Sequence, residues 1–381
     1  VNITLGGHMA AIKLKISYLR KLNSISQKQL AEKLGVSYQT VSKWENGICM
    51  PDISLLPTIS EYFNVSVDQL LGLKPINELE YTPSDTDTTE YWGKKIDYLK
   101  STRKSLLNLD YIKFLVEKVW KINKAIDIID FGCGYGFLGQ ILLPILPIGS
   151  TYTGIDINDK LINEAKNIFK NTDYKTNFII KNLYDYKASK KYDMAICQAF
   201  LRHTNKPYEL LKKMIDSVKI GGSVACIEVN RELESDGLYI DGIDYDYLCD
   251  GNGMRKLWKK ELQFQGRDHA IGMKIPIMMN ELGLKDIDVR LNDKVEFIYP
   301  NQLDYNINID DFIISNAIKK DINMIDDENT IDRFMNHGLD RFEAELHCKR
   351  EHKISNFFNE NMNNLSIVKL RGILISFGVK K

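Results

Sequence analysis

The sequence predicts an α/β chain of two unlike parts, an all-helical N-terminal module over residues 12–73 and a larger sheet-bearing module behind it. Three observations predict this. Five short apolar-striped segments with capping residues between them fill the first seventy positions. A nearly continuous apolar, β-branched run at 126–131 then enters a glycine turn and a second helix, the pattern of a strand buried on both faces. Finally, the 381 residues carry 51 basic and 51 acidic side chains, and this neutral total conceals an uneven distribution. Residues 1–74 hold eight bases against five acids, a net +3; residues 75–93 hold five acids and no base; the remainder is +2.

The helical module comes first. Ile12, Ile16, Leu19 and Leu22 form a helical stripe. Ser26 caps a second helix carrying Leu30, Ala31 and Leu34, which stops at Gly35. Ser37 caps a third, with Val41 and Trp44 facing inward and Asn46-Gly47 at its end. Pro51-Asp52 precedes a fourth over 53–63, and a short fifth runs through 67–71. A three-residue turn between the second and third helices is the helix-turn-helix arrangement. The run from Ser26 to Gly72 (SQKQLAEKLGVSYQTVSKWENGICMPDISLLPTISEYFNVSVDQLLG) resembles the phage-repressor-type, XRE-like, helix-turn-helix family. The resemblance implies that the third helix enters the major groove of double-stranded DNA, with Gln27 on phosphate and Tyr38, Gln39, Thr40 and Lys43 toward base edges or backbone. A protein-docking role for the same module stays open. A charge of +3 gives little non-specific affinity, so two copies on a palindrome, and hence a homodimer, are expected.

Residues 74–93 follow as an acidic linker without helical or strand period. Residues 94–125 read as amphipathic helix. The strand at 126–131 runs into Gly132-Cys133-Gly134-Tyr135-Gly136 and a helix from Phe137. Backbone at such a turn can press against a nucleotide-like group. A second strand ends at Asp156, from which a carboxylate can reach a ribose diol. The glycines Gly134, Gly136 and Gly139 satisfy the dinucleotide pattern G-x-G-x-x-G, so the pattern alone admits a nicotinamide enzyme. The carboxylate of Asp130, two positions before Gly132, argues against a pyrophosphate and suits a cofactor with an ammonium group.

From Asp130 to Gly136 the chain resembles the first motif of class I S-adenosylmethionine-dependent methyltransferases. The order of later motifs extends the resemblance: 177–183 as third strand and loop, 191–197 as fourth strand, Lys219-Ile220-Gly221-Gly222 before the fifth strand at 223–229, 286–290 as sixth and 372–381 as seventh. It implies a seven-stranded Rossmann-like sheet over 94–300 and 372–381, with a mostly helical cap at 301–371 inserted before the last strand. It implies S-adenosylmethionine as cofactor. Its methionine end would lie on Asp130, Gly132, Cys133 and Gly134, its ribose on Asp156 beside Ile157, and its adenine against Asn182 and Leu183. Gln198 opens the segment between methyl donor and acceptor.

The acceptor class is narrowed by what is missing. Base-amine methylases carry an Asp/Asn/Ser-Pro-Pro-aromatic loop after the fourth strand; here Cys197-Gln198-Ala199-Phe200 stands there. Cys197 lacks the proline context of a cytosine C5 nucleophile. The pattern instead resembles small-molecule methyltransferases acting on quinones, sterols and secondary metabolites, with residues from Trp258 to Pro276 as a lid. RNA and protein acceptors fit the neutral large module less well. Methyl transfer needs orientation and exclusion of water, and a base only for a protonated acceptor. His203 and Glu228 are the candidate catalytic groups; His203, Tyr239 and His269 are candidate substrate contacts. The Asp236–Asp250 acidic run with its tyrosines reads either as a solvated loop or as a gate.

Six cysteines without a CxxC pair suggest neither disulfides nor zinc. Glu343, His347, Cys348 and His352 share a helix but lack an i,i+4 histidine pair, so no metal is expected. No apolar stretch approaches the roughly 18 residues of a membrane span, and the N-terminus lacks a signal-peptide pattern; a cytoplasmic protein is expected. The leading expectation is a small-molecule methyltransferase tethered to a transcriptional-regulator module. The alternative is a regulator whose methyltransferase fold only senses S-adenosylmethionine or its product.

Overall fold

The computed structural model describes residues 14–73, 92–104, 106–204, 206–248, 251–265, 267–316, 318, 327–336 and 338–381. Ile12 and nearly all of the 74–93 linker lie outside them. Contacts divide the chain into two compact units, Val1–Glu80 with Asn323–His352, and Tyr81–Ile322 with Lys353–Lys381.

The first unit contains the helices Ile16–Leu22, Gln27–Leu34, Tyr38–Glu45, Leu56–Tyr62 and Val67–Leu70. Ser26 and Gln29 form a reciprocal capping box, as do Ser66 and Gln69, and Ser37 caps the third helix through Thr40 N–H. Gly35 ends the second helix at φ 66°, where a left-handed backbone costs glycine little. Ile16, Leu19, Leu30, Val41, Trp44, Ile59 and Leu70 form its core. Leu22, expected on the inner stripe, is exposed, because the helix starts at Ile16 and its inward arc ends at Leu19. The helix Asp327–Asn336 belongs to this unit, as does the first half of Arg341–Asn361. The cap expected over 301–371 is therefore divided; only its first helix, Tyr305–Ser315, and its last residues group with the sheet. Residues 319–326 of that expected cap lie outside the described residues.

The second unit is built on β1 (Asp127–Phe131), β2 (Thr151–Asp156), β3 (Lys175–Ile180), β4 (Tyr192–Gln198), β5 (Val218–Val229), β6 (Leu238–Ile240), β7 (Lys285–Leu291), β8 (Val295–Ile298), β9 (Ile367–Leu370) and β10 (Ile373–Val379). Seven of these form one sheet in the order β3-β2-β1-β4-β5-β10-β7. The first five are parallel, while β10 runs antiparallel to both β5 and β7. Ile128 packs into the core on one face and Ile129 into the core on the other, as a doubly covered strand requires. Because the order reverses beside β1, the carboxyl ends of β1, β2 and β4 open onto a crevice.

Two features differ from the sequence reading. The 94–125 segment is broken into Ile96–Lys104, Leu109–Phe114 and a π turn at Leu115–Val119; the Asn292 amide donates to Leu106 O across the break. A second, three-stranded sheet, β6-β9-β8, lies over its own apolar cluster with the helix Tyr305–Ser315.

Candidate functional site

A cavity of about 260 Å³ opens at the carboxyl ends of β1, β2 and β4. Gly132 and Cys133 both donate their N–H to Ile155 O, which ties the turn after β1 to β2. Gly132 holds φ 72°, and a Cβ there would stand 2.3 Å from the Phe200 ring. Gly134 at φ 54° has nothing within 4 Å of its would-be Cβ, so its backbone faces open space. The two glycines thus make a cradle by different means, one by close packing and one by exposure.

Asp156 fixes the next wall. Its Oδ2 accepts from Gly134 N at 2.9 Å and its Oδ1 from Asn158 N at 2.9 Å. Burial pushes its carboxyl up, while the backbone N–H groups pull the other way. Each oxygen retains capacity for a second donor. Ile157, Asn182 and Leu183 line the cavity beside it. The Asn182 Oδ1 already accepts from Tyr184 N at 2.9 Å. At the end of β4, Gln198 is nine-tenths buried on the wall, and its Nε2 has no hydrogen-bond partner among the described residues. A glycine cradle, a carboxylate positioned for a diol and an unsatisfied amide donor are what S-adenosylmethionine requires, and these residues fit it. Gly132 and Gly134 could hold its methionine end, Asp156 its ribose, and Asn182 and Leu183 its adenine.

The cavity continues past Gln198. Ala199 holds φ 49°, an uncommon backbone for a residue with a Cβ. The loop behind it is held from below by Glu228, whose Oε1 accepts from Phe200 N at 2.9 Å and Leu201 N at 2.8 Å. His203 lines the cavity, with its ring edge-on to Trp92 at 5.2 Å. Arg202 donates through Nε to His203 Nε2 at 3.0 Å. Burial first, then neighbouring cations led by Arg202, hold the imidazole well below its ordinary pKa. The same cavity is lined by Tyr98, Leu99 and Arg103 of the helix Ile96–Lys104, and by Arg231, Lys369 and Arg371. Sequence reasoning missed these residues, although the basic pair Arg103-Lys104 closing the helix Ile96–Lys104 was a signal for the first of the arginines.

Five expected site residues are not on this wall. Asp130 is buried, accepting from the Tyr152 hydroxyl, with its other oxygen unpartnered among the described residues. The two-residue period of β1 aims it into the sheet's packing layer rather than at the crevice. Cys133 is buried against Gly154. Glu228 is fully buried beneath the loop, so its contact is with backbone rather than with the cavity. His269 is paired with Glu261 and stacked on Trp258. Tyr239 is exposed on β6, its hydroxyl toward Asp241. The wall takes no described residue from 235–275, the stretch expected as lid and gate; Asp250 lies outside the described residues. Cys197 is buried within the sheet, consistent with a strand-end thiol.

In the helical unit, Tyr38, Gln39 and Lys43 are exposed on the third helix, while Thr40 bonds Ser37 through its hydroxyl at 2.9 Å. Gln27, expected on phosphate, is engaged within the unit. Its Nε2 donates to Glu45 at 2.8 Å, and Glu45 is also gripped by the Arg20 guanidinium at 2.6 and 3.0 Å. In the same unit, Asp327, Cys348 and His352 bring one ligand atom each to within 4.8 Å of one another. The Asp327 partner comes from a separate helix, which helical spacing on 341–361 could not reveal.

Residues 16–70 match a helix-turn-helix family model, and residues 122–266 match a methyltransferase domain model. Among curated proteins, the chain is similar to the ubiquinone biosynthesis O-methyltransferase of Coxiella burnetii (strain Dugway 5J108-111), 24% identical over 161 residues, or 42% of this chain and 66% of that protein. It is similar also to the enzyme of that name from Pelagibacter ubique (strain HTCC1062), 25% identical over 179 residues, or 45% of this chain and 73% of that one. The chain thus spans slightly under two thirds of the Coxiella relative's length. Among solved structures, the plantazolicin methyltransferase BpumL in complex with SAH aligns at TM-score 0.38 and 13% identity over 79% of this chain and 92% of that one, a likeness too low to carry an argument. The matched residues and the strand order together give the fold: a helix-turn-helix bundle followed by a seven-stranded class I methyltransferase sheet with helical insertions.

Proposed function

We propose that the chain is an S-adenosylmethionine-dependent methyltransferase of a small molecule, carried by a sequence-specific DNA-binding module that makes it a transcriptional regulator. The observation that carries the first half is the continuity of one cavity. The motif residues Gly132, Gly134, Asp156 and Gln198 line the same cavity as Arg202, His203 and Arg103. When bound, the cofactor supplies an electrophilic methyl group. The chain supplies the rest: Asp156 and the glycine cradle orient the donor, the loop 199–203 sets the boundary between donor and acceptor, and the apolar wall of Leu99 and Leu106 excludes water. Names of the curated relatives, O-methyltransferases of ubiquinone biosynthesis, support an oxygen acceptor on a small molecule.

The DNA half rests on the exposed Tyr38, Gln39 and Lys43 on a capped third helix. Two copies on a palindrome suit the module's modest charge. Isothermal titration with S-adenosylmethionine and S-adenosylhomocysteine tests the cofactor reading: micromolar binding that Asp156→Ala abolishes is expected, and no binding to the intact chain would overturn it. Selection from random duplexes tests the DNA reading, with an enriched inverted repeat lost in a Gln39→Ala/Lys43→Ala double variant. Regulation requires that the affinity for that repeat change with bound cofactor or product.

A second reading, a sensor that binds cofactor without turnover, draws on one observation: Glu228 does not line the cavity, and the Nε2 of His203 already accepts from Arg202. Release of S-adenosylhomocysteine with any acceptor would exclude it.

A further inference from the structure

The helix Arg341–Asn361 has no histidine pair at i,i+4, but Cys348 and His352 stand at that spacing. Residues four apart are neighbours on one face of a helix, so the thiol and the imidazole leave it on the same side. A third group comes from a separate helix. Asp327 opens the helix Asp327–Asn336, and its Oδ1 lies 3.4 Å from Cys348 Sγ and 2.5 Å from His352 Nε2. The three ligand atoms fall within 4.8 Å of one another. All three residues belong to the unit that also holds the helix-turn-helix bundle. Cys348 is buried, whereas the side chains of His352 and Asp327 are 29% and 58% exposed. The sulfur is thus covered, and the carboxylate's side is the way in for an ion.

The spacing suits a tetrahedral ion. Zinc bonds thiolate at about 2.3 Å and nitrogen or oxygen at about 2.0–2.2 Å, which sets its donor atoms about 3.3–3.6 Å apart. The sulfur and the carboxylate oxygen already stand at that separation. The imidazole and the carboxylate have to part by roughly 1 Å, a movement open to an exposed aspartate in the first turn of a helix. The donor set selects as well. Thiolate and imidazole suit zinc, whereas magnesium and calcium take oxygen ligands. Thiol and imidazole also converge on one and the same carboxylate oxygen, so a single cation at that point meets all three groups at once.

We propose that Asp327, Cys348 and His352 form a site for zinc or a similar thiophilic divalent cation, with one coordination position left to water or an outside ligand. On binding, the thiol releases its proton to solvent and ligates as thiolate. The carboxylate ligates as it stands, and the imidazole binds as the neutral base through Nε2, its proton moved to Nδ1 through solvent. The ion ties the start of the helix Asp327–Asn336 to the helix Arg341–Asn361. Asp332, further along the first of these, reaches Lys15 of the helix-turn-helix bundle at 3.4 Å. None of the three ligands lines the cavity at the strand ends, so the site stands whether or not the chain transfers methyl groups.

The test uses the full chain, freed of metal with a chelator and then of the chelator, and titrates it with zinc, cobalt(II) and magnesium in turn. Zinc should bind in equimolar amount at about 1 μM or tighter, and magnesium not at all at roughly 1 mM. Cobalt should give a thiolate-to-cobalt charge-transfer band in the near ultraviolet and the intense visible bands of a tetrahedral site. Cys348→Ser and His352→Gln should each weaken zinc by roughly tenfold or more, and Cys348→Ser should also remove the ultraviolet band. No zinc binding at roughly 100 μM, or a cobalt complex without the sulfur band, would leave a hydrogen-bonded trio only and overturn the proposal. A sulfur band that survives Cys348→Ser, or equal zinc affinity in all variants, places the metal elsewhere and overturns it too. Should Cys348→Ser fail to fold, the more exposed His352→Gln and the cobalt spectrum of the unaltered chain decide.

Discussion

Arg202 donates from Nε to Nε2 of His203 at 3.0 Å. The acceptor nitrogen therefore carries no proton, and the imidazole is the neutral form protonated at Nδ1. Burial and the cations Arg202 and Arg267 favour that neutral form. This geometry predicts a shaping residue rather than a proton acceptor. Its ring-carbon NMR signal, assigned by its loss in His203→Asn, should stay flat from about pH 5.5 to 8, whereas a free histidine titrates near 6.5. Methyl transfer by His203→Asn should fall less than about tenfold, because loss of a true general base costs about a hundredfold or more. A titration midpoint near 6.5, or a loss of that larger size, would restore the catalytic role.

Glu228 acts through backbone. One oxygen receives the N–H groups of Phe200 and Leu201, and burial pushes its carboxyl up. Glutamine keeps the accepting oxygen and removes a costly buried acid, so Glu228→Gln should change stability by less than about 1 kcal/mol. Glu228→Ala strands two buried N–H groups and should cost about 2–4 kcal/mol. Chemical denaturation of the two variants checks the difference. Equal losses would mean that the charge, not the acceptor geometry, matters.

The two cradle glycines should respond differently to alanine. At Gly132 the new methyl collides with the Phe200 ring at a positive φ, so the ring and the loop 199–203 must move. Gly132→Ala should weaken S-adenosylhomocysteine by more than tenfold, the equivalent of about 1.4 kcal/mol. At Gly134 no atom is struck, and the cost is the left-handed backbone alone, about 1–2 kcal/mol, taken mostly from stability. Calorimetry and thermal melts separate these. A Gly134→Ala variant that loses as much affinity as Gly132→Ala would show that the position of its absent Cβ, and not only its backbone, faces the bound cofactor.

The sheet was legible because its central strands are doubly buried. Apolar β-branched runs at β1, β4 and β5, each ending in a turn, left little else that they could be. The part of the cavity at the strand ends was legible for a related reason: chain order sets the positions of Gly132, Gly134 and Asp156. The rest of its lining was not. Arg103, Arg202 and Lys369 come from segments far apart in sequence, and only closure of the fold brings them to one cavity. The strands β6, β8 and β9 escaped notice because three or four residues carry too short an alternation to distinguish from a loop. Asp130 was the one misplacement that its own strand could have corrected. Alternation puts it on the face of Ile128, inside the packing layer.

That placement makes the stability of the sheet unit depend on pH. Burial raises the Asp130 carboxyl to about 7; the Tyr152 hydroxyl opposes the shift and the charge of Asp156 adds to it. An unfolded aspartate titrates near 3.9, so between about pH 4 and 7 the folded chain keeps a proton that the unfolded chain has released. Folding stability from this group is therefore full below about pH 4, falls as pH rises toward 7, and is flat above. Asp130→Asn retains an oxygen for the Tyr152 hydroxyl and has no charge to bury. It should be more stable than the natural chain at pH 8, by on the order of 2–4 kcal/mol, with the two converging as pH falls toward 4. Urea unfolding at pH 5, 6, 7 and 8 reads the divergence directly. Parallel curves across that range would mean that Asp130 is ionised in the folded state, with a counter-charge reaching it through the turn at Gly132.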